Sequence, residues 1–235
     1  MRKYSAKIIL VIGTDTALSV HIAQTYPDLL AKIACVTWES AGPALYGVFV
    51  PLSNAATSVS EPYSCNQSAE EGLIFDTNNY PYYRFKELTT PGVEKSAYQI
   101  YGEPVRAYWH EAETIMTADM AKVLQTAAEL GNAKQAAETI TDYCNRMQTQ
   151  AFEDAGKLLN DVRLYMNRNS NTMKNGRNPE THEILDELKP VDPLSVTLDA
   201  AVYSYTPEIP AVEESPTLFN LAAKAHKIVV PLLRR

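Results

Sequence analysis

From residue 133 to residue 169 the apolar side chains step by threes and fours. Ala136, Ile140, Tyr143, Cys144, Met147, Ala151, Ala155, Leu158, Leu159, Val162, Tyr165 and Met166 keep that spacing throughout. It marks a helix that buries one face, because residues three and four apart stack on the same side. At 1.5 Å per residue the helix is roughly 50 Å long, enough to cross a whole sheet. Such a rod needs a broad apolar surface to lie on, so the rest of the chain has to supply one. Gly156 within it allows a bend or close packing. A shorter helical pattern begins at Thr117-Ala118-Asp119, keeps Met120, Val123, Leu124 and Ala127 in step, and ends near Gly131-Asn132.

The first quarter of the chain has a different period. Residues 6–12, 17–23, 32–38 and 45–50 are short runs rich in Ile, Val and Ala, separated by turn residues, and read as consecutive strands. Alternation across residues 19–23 puts Val20 and Ile22 on one face and His21 on the other. Pro27-Asp28 and Gly42-Pro43 supply turns. Residues 53–79 are polar and read as a surface excursion, while residues 80–85 and 98–109 concentrate aromatics and read as sheet surface. Past the long helix, residues 167–178 are too rich in Asn and Arg for a core, and Pro190, Pro193, Pro207, Pro210 and Pro216 punctuate the remainder of the chain. Residues 196–198 and 201–203 are weak strand candidates, and residues 218–227 a last helix. The class expected is α+β: antiparallel strands with a long helix in the C-terminal half. Residues 1–205 read as one domain and residues 206–235 as a proline-rich, flexible tail.

The net charge of −7 argues against nucleic acid as a partner, since neutralising phosphates takes a basic face. Arg2, Lys3 and Lys7 before residues 8–12 mimic a secretory signal, but the apolar run is short and Gly13-Thr14-Asp15 interrupts it before any cleavage site. No run approaches the roughly 18 apolar residues of a membrane helix. Cys35, Cys65 and Cys144 are odd in number and lack C-x-x-C spacing. Reduced thiols and a cytoplasmic setting are expected rather than a disulfide framework or zinc ribbon.

Candidate chemistry is sparse. Cys35 in Ile33-Ala34-Cys35-Val36 reads as a small core residue, as does Cys144 on the helical stripe. Cys65, in a loop, is the strongest of the three candidates for a reactive thiol, but no neighbour in sequence supplies it with a base. His110-Glu111-Ala112-Glu113 falls short of a zinc helix because Thr114 stands where the second His is needed, so no metal is expected. There is no phosphate loop or dinucleotide fingerprint, and no cofactor is expected. Three pocket candidates remain: His21 mid-strand, and Glu39 and Ser40 in the bend Trp38-Glu39-Ser40-Ala41-Gly42-Pro43. Against each stands a structural reading: a His bonded to backbone, and a Trp-anchored turn shaped by Gly-Pro. Ser40 lacks the G-x-S-x-G frame of a nucleophile elbow.

Residues 19–24 (SVHIAQ), 34–39 (ACVTWE), 44–51 (ALYGVFVP) and 164–169 (LYMNRN) together resemble the C-terminal half of the bacterial cysteine dipeptidases, within the N-terminal-nucleophile (Ntn) hydrolases. The resemblance spans roughly residues 11–198. It implies a four-layer αββα sandwich, of which this chain holds a part, and metal-free hydrolysis of dipeptides with broad specificity. In that mechanism an N-terminal cysteine attacks the scissile carbonyl while its own α-amino group takes the proton. Here Arg2 follows Met1, so removing Met1 exposes no nucleophile, and no catalytic residue transfers. The expectation is a truncated dipeptidase-family chain, inactive alone, whose unpaired sheet edges invite a second copy or the missing half. Two alternatives stand beside it: a non-catalytic interaction module on the same fold, and an Ntn amidase of the bile-salt or penicillin acylase type.

Overall fold

A computed structural model describes residues 19–44, 47–64, 76–89, 95–168 and 194–207 of the chain. Three strands, β1 (Ser19–Thr25), β2 (Cys35–Ala41) and β3 (Val50–Ser53), form one antiparallel sheet in the order β1-β2-β3. Among the described residues five helices come after them: α1 (Glu61–Ser64), α2 (Pro81–Thr89), α3 (Lys95–Glu129), α4 (Ala133–Arg168) and α5 (Ala200–Tyr203). The class is α+β. These elements lie in the unit Met1–Tyr205; of a second unit, Thr206–Arg235, only Thr206 and Pro207 are described. The expectations for residues 6–12, 167–178 beyond Arg168, 218–227 and the rest of the tail, and for Cys65, lie outside the described residues.

The second strand begins three residues later than its composition suggests. Ile33 N donates to Leu30 O at 2.9 Å and Tyr26 N to Ala34 O at 2.8 Å, so residues 30–34 are spent on closing the hairpin loop. The strand expected over 45–50 likewise starts only at Val50 and runs to Ser53. Within β2 the burial alternates strictly: Val36, Trp38 and Ser40 are buried, while Cys35, Thr37, Glu39 and Ala41 are half-exposed. That is the period-two signature of a sheet covered by helices on one face.

The long helix runs almost where its stripe ends, Ala133–Arg168, and ten stripe residues from Ala136 to Val162 are buried. Its start is fixed chemically. Gly131, at φ +63°, closes α3, and the Asn132 side chain accepts from Lys134 N at 2.9 Å and Gln135 N at 3.2 Å. A left-handed glycine followed by an N-capping asparagine turns one helix directly into the next.

The helix before it is much longer than expected, beginning at Lys95 rather than Thr117 and containing Pro104. Proline inside a helix removes one backbone bond, but Val105, Tyr108, Trp109, Ala112 and Met116 continue the buried stripe of Met120 and Val123. Burial of that face outweighs the lost bond. The aromatic run at 80–85 is also helix, not sheet surface: Pro81 opens α2 at the first helical position, where its missing N–H costs nothing. Residues 201–203 form α5, capped by Asp199 accepting from Ala201 N at 3.0 Å, and residues 196–198 form no strand.

Candidate functional site

The hairpin register decides which of His21, Glu39 and Ser40 meet. His21 on β1 stands directly opposite Glu39 on β2, and Val20 stands opposite Ser40. Residues directly opposite in an antiparallel pair share a face. His21 and Glu39 are therefore brought together on the sheet face turned away from Trp38, whereas Ser40 is on the helix-covered face. Ser19, two residues along the same strand, places its Oγ 3.2 Å from His21 Nε2. Val50 on β3 completes the row on the far side of Glu39 and is buried.

Ser40 is wholly buried, and its Oγ has no hydrogen-bond partner among the described residues. It fills the space beside Gly47, where an added Cβ would sit only 2.5 Å from Ser40 Oγ and 3.1 Å from Pro43 O. Ser40 is thus a packing residue of the 41–49 bend, not a pocket residue. The same bend uses Gly42 at φ +106°, packed against Tyr82 and Phe85. Its return arm is held by Phe49 N donating to Glu113 Oε1 at 2.9 Å. Burial pushes the Glu113 carboxyl up, and that hydrogen bond only partly offsets it. Trp38 Nε1 donates to Gln24 Oε1 at 2.8 Å, which ties the bend's tryptophan to β1.

Of the two described thiols, the one on the long helix lacks the setting of an attacking group. Cys144 is wholly buried, and burial pushes its thiol up to about 11. Cys35, expected as a small core residue, is instead a free thiol only half-buried, because β2 starts with it on the strand's less covered face. Among the described residues no three His, Cys, Asp or Glu side chains cluster in a way that could hold a metal ion. An open apolar groove of 570 Å³ lies at the loop end of the hairpin, walled by Leu30, Ile33, Ala127 and Ala136, and none of His21, Glu39 and Ser40 lines it.

The densest polar cluster is one that residue patterns alone did not single out. Asp154, on α4, accepts from Tyr108 OH and Tyr203 OH at 2.8 Å each, from Lys157 Nζ at 2.7 Å and from Gln150 Nε2 at 3.0 Å. Burial pushes its carboxyl up, but these four donors outweigh that and hold it below its ordinary value. Two more carboxylates grip the same C-terminal segment: Asp161 accepts from Ser195 N at 2.6 Å and Val196 N at 3.0 Å, and Asp119 from Tyr205 N at 2.6 Å. Residues 194–205 are thereby strapped across α3 and α4. The signal was in the sequence: Asp154 falls three residues after Ala151 and four before Leu158, on the apolar stripe itself, where an acid requires donors. Gln148, beside Met147, does the same for the sheet side, accepting from Ser60 N at 3.0 Å and donating to Pro51 O at 3.1 Å. The cluster is a structural lock, since Asp154 is held by four donors from α3, α4 and α5.

No known family model matches this chain, and no curated protein matches it either.

Proposed function

We propose that this chain carries part of the sandwich of a cysteine-dipeptidase-type hydrolase and that its His21–Glu39 face receives the peptide. The observation that carries the reading is the sheet's asymmetry. On the central strand Val36, Trp38 and Ser40 are buried under the helices, while Thr37 and Glu39 on the other face stay half-exposed beside the exposed His21 of β1. One β layer backed by one α layer is what a single half of an αββα sandwich contributes, with the second sheet packing over the polar face. The peptide-binding cleft then lies between the sheets, where rigid strands hold recognition groups in place. The attacking thiol comes from neither Cys35 nor Cys144. A cytoplasmic setting fits the unpaired thiols, and no helix among the described residues is long and apolar enough to cross a membrane.

The test is a panel of unblocked dipeptides, measured for binding by calorimetry and for turnover with and without a thiol alkylator. Dipeptide binding, with any turnover indifferent to Cys35→Ala and Cys144→Ala, is the expected result. Absence of binding and turnover from protein that circular dichroism shows to be folded would refute the reading. So would turnover abolished by Cys35→Ala. A second reading, a non-catalytic interaction module on the same fold, draws on the burial of Cys144; a dipeptide that binds without any hydrolysis favours it.

A further inference from the structure

The apolar groove at the loop end of the hairpin carries a plug on its own rim. Leu30 lines the groove and is 71% exposed, the most exposed of the large apolar side chains among the described residues. An isolated surface leucine needs no explanation, but this one is not isolated. Ala31, Ala128 and Ala133 line the same groove and are exposed as well, so knob and hollow belong to one apolar patch. The hollow exists because small residues wall it. Even at Gly131, on the corner between α3 and α4, an added Cβ would meet nothing within 4 Å.

The exposure of Leu30 is imposed by the backbone around it. Tyr26 N donates to Ala34 O at 2.8 Å, Leu29 N to Tyr26 O at 3.1 Å and Ile33 N to Leu30 O at 2.9 Å. From beyond β3, Asn54 Nδ2 donates to Ala31 O at 3.3 Å, and Ile33 is buried beneath the loop. Leu30 is therefore held outward at the tip of a loop that is tied at both ends. The facing wall is equally fixed, by the Gly131 turn and the Asn132 cap that join α3 to α4. A preformed knob beside a preformed hollow binds without an ordering cost.

We infer that this patch is a twofold contact between two copies of the chain, with Leu30 of each seated in the groove of the other. Knob and hollow on one patch are what an isologous interface requires, since each copy then supplies both halves of the fit. Any other partner would fill the groove and leave Leu30 in water. The charges agree. Exposed Asp28 and Lys32 sit on the loop, and exposed Glu129 and Lys134 at the helix corner, one acid and one base on each side. Loop against corner therefore pairs opposite signs, where a rim of one sign would repel its own copy. The contact centres on a single knob and groove, which places it in the small, transient class below about 1,200 Å² in total, with a dissociation constant in the micromolar range.

Sedimentation equilibrium of the full chain over a wide concentration range tests this, on the native protein and three variants. Leu30→Glu removes the knob, Ala128→Glu blocks the groove, and Ile22→Thr changes the 50%-exposed apolar residue of the edge strand β1 instead. All three positions are exposed, and circular dichroism checks each fold; should Leu30→Glu fail to fold, Ala128→Glu still decides the matter. The expected result is a monomer–dimer equilibrium in the native chain that Ile22→Thr leaves unchanged. Leu30→Glu and Ala128→Glu should each weaken it about a hundred-fold or more, because twofold symmetry counts every lost contact twice. A native chain that is monomeric at every concentration overturns the inference. So does a dimer that persists in either glutamate variant, and one lost in Ile22→Thr assigns the contact to the sheet edge instead.

Discussion

Removing one hydroxyl from the buried lock, by Tyr203→Phe, tests whether the carboxylate at its centre holds the C-terminal strap to the helices. Tyr203 is wholly buried, and its OH donates to Asp154 Oδ2 at 2.8 Å; the ring is otherwise unchanged by the substitution. A hydrogen bond to a charged group contributes about 1.5–3 kcal/mol. Tyr108 remains on the same oxygen, and Gln150 and Lys157 remain on the other. The expected loss is therefore near the lower end, about 2 kcal/mol, read as a reduced urea midpoint at constant slope. Tyr108→Phe alone should cost a similar amount. The pair together should cost more than the sum, because Oδ2 then keeps no donor; couplings of about 0.5–3 kcal/mol are usual within one network. Lys157 contributes less, about 1 kcal/mol or below, since its side chain is 55% exposed.

The sign of the pH dependence comes from the same four donors. A carboxyl held below its ordinary value adds stability above the unfolded pKa, about 3.9, and that stability is lost as pH falls through the folded value. Asp154→Asn should therefore be clearly destabilised at pH 7, with its deficit shrinking below about pH 4. A Tyr203→Phe loss under about 0.5 kcal/mol, or additive phenylalanine variants, would show that the lock is incidental to stability.

The geometry sets four further outcomes. Gly47→Ala should cost about 1–3 kcal/mol through overpacking, since the new methyl would lie 2.5 Å from Ser40 Oγ, and Ser40→Ala should restore part of it; thermal melts of the single and double variants decide this. Gln148→Ala leaves Ser60 N and Pro51 O without their side-chain partner, so a loss of about 2–4 kcal/mol is expected, with faster amide exchange at Ser60. Asp161→Ala should free the start of the strap, increasing proteolytic nicking near Ser195 while leaving the α3–α4 pair protected. In native protein at pH 8, Cys144 should resist iodoacetamide, being wholly buried with its thiol pushed up to about 11, whereas Cys35 should label.

What could be read from the residues, and what could not, divides along the range of the forces involved. The α4 stripe was legible because helical burial repeats every few residues, so ten buried positions each carry the same local message. The start of β2 was not, because it depends on how many residues the 26–34 loop consumes, a matter of turn hydrogen bonds rather than composition. Pro104 and the aromatic runs misled for a related reason: local propensity disfavours helix there, and packing against α4 supplies what propensity withholds. At the candidate site the same division separates the three residues. The alternation of residues 19–23 already put His21 on the face opposite Val20 and Ile22, but Glu39 and Ser40, read as parts of one bend, lie in β2 and fall on opposite faces of the sheet because strand side chains alternate. Pairing His21 with Glu39 requires the register, which in a hairpin is set by loop length and so appears only once the turn is known. A one-residue slip of β1 would bring His21 opposite Ser40 and send its side chain toward the helices, so the pairing of His21 with Glu39 is set at a distance, by the 26–34 loop.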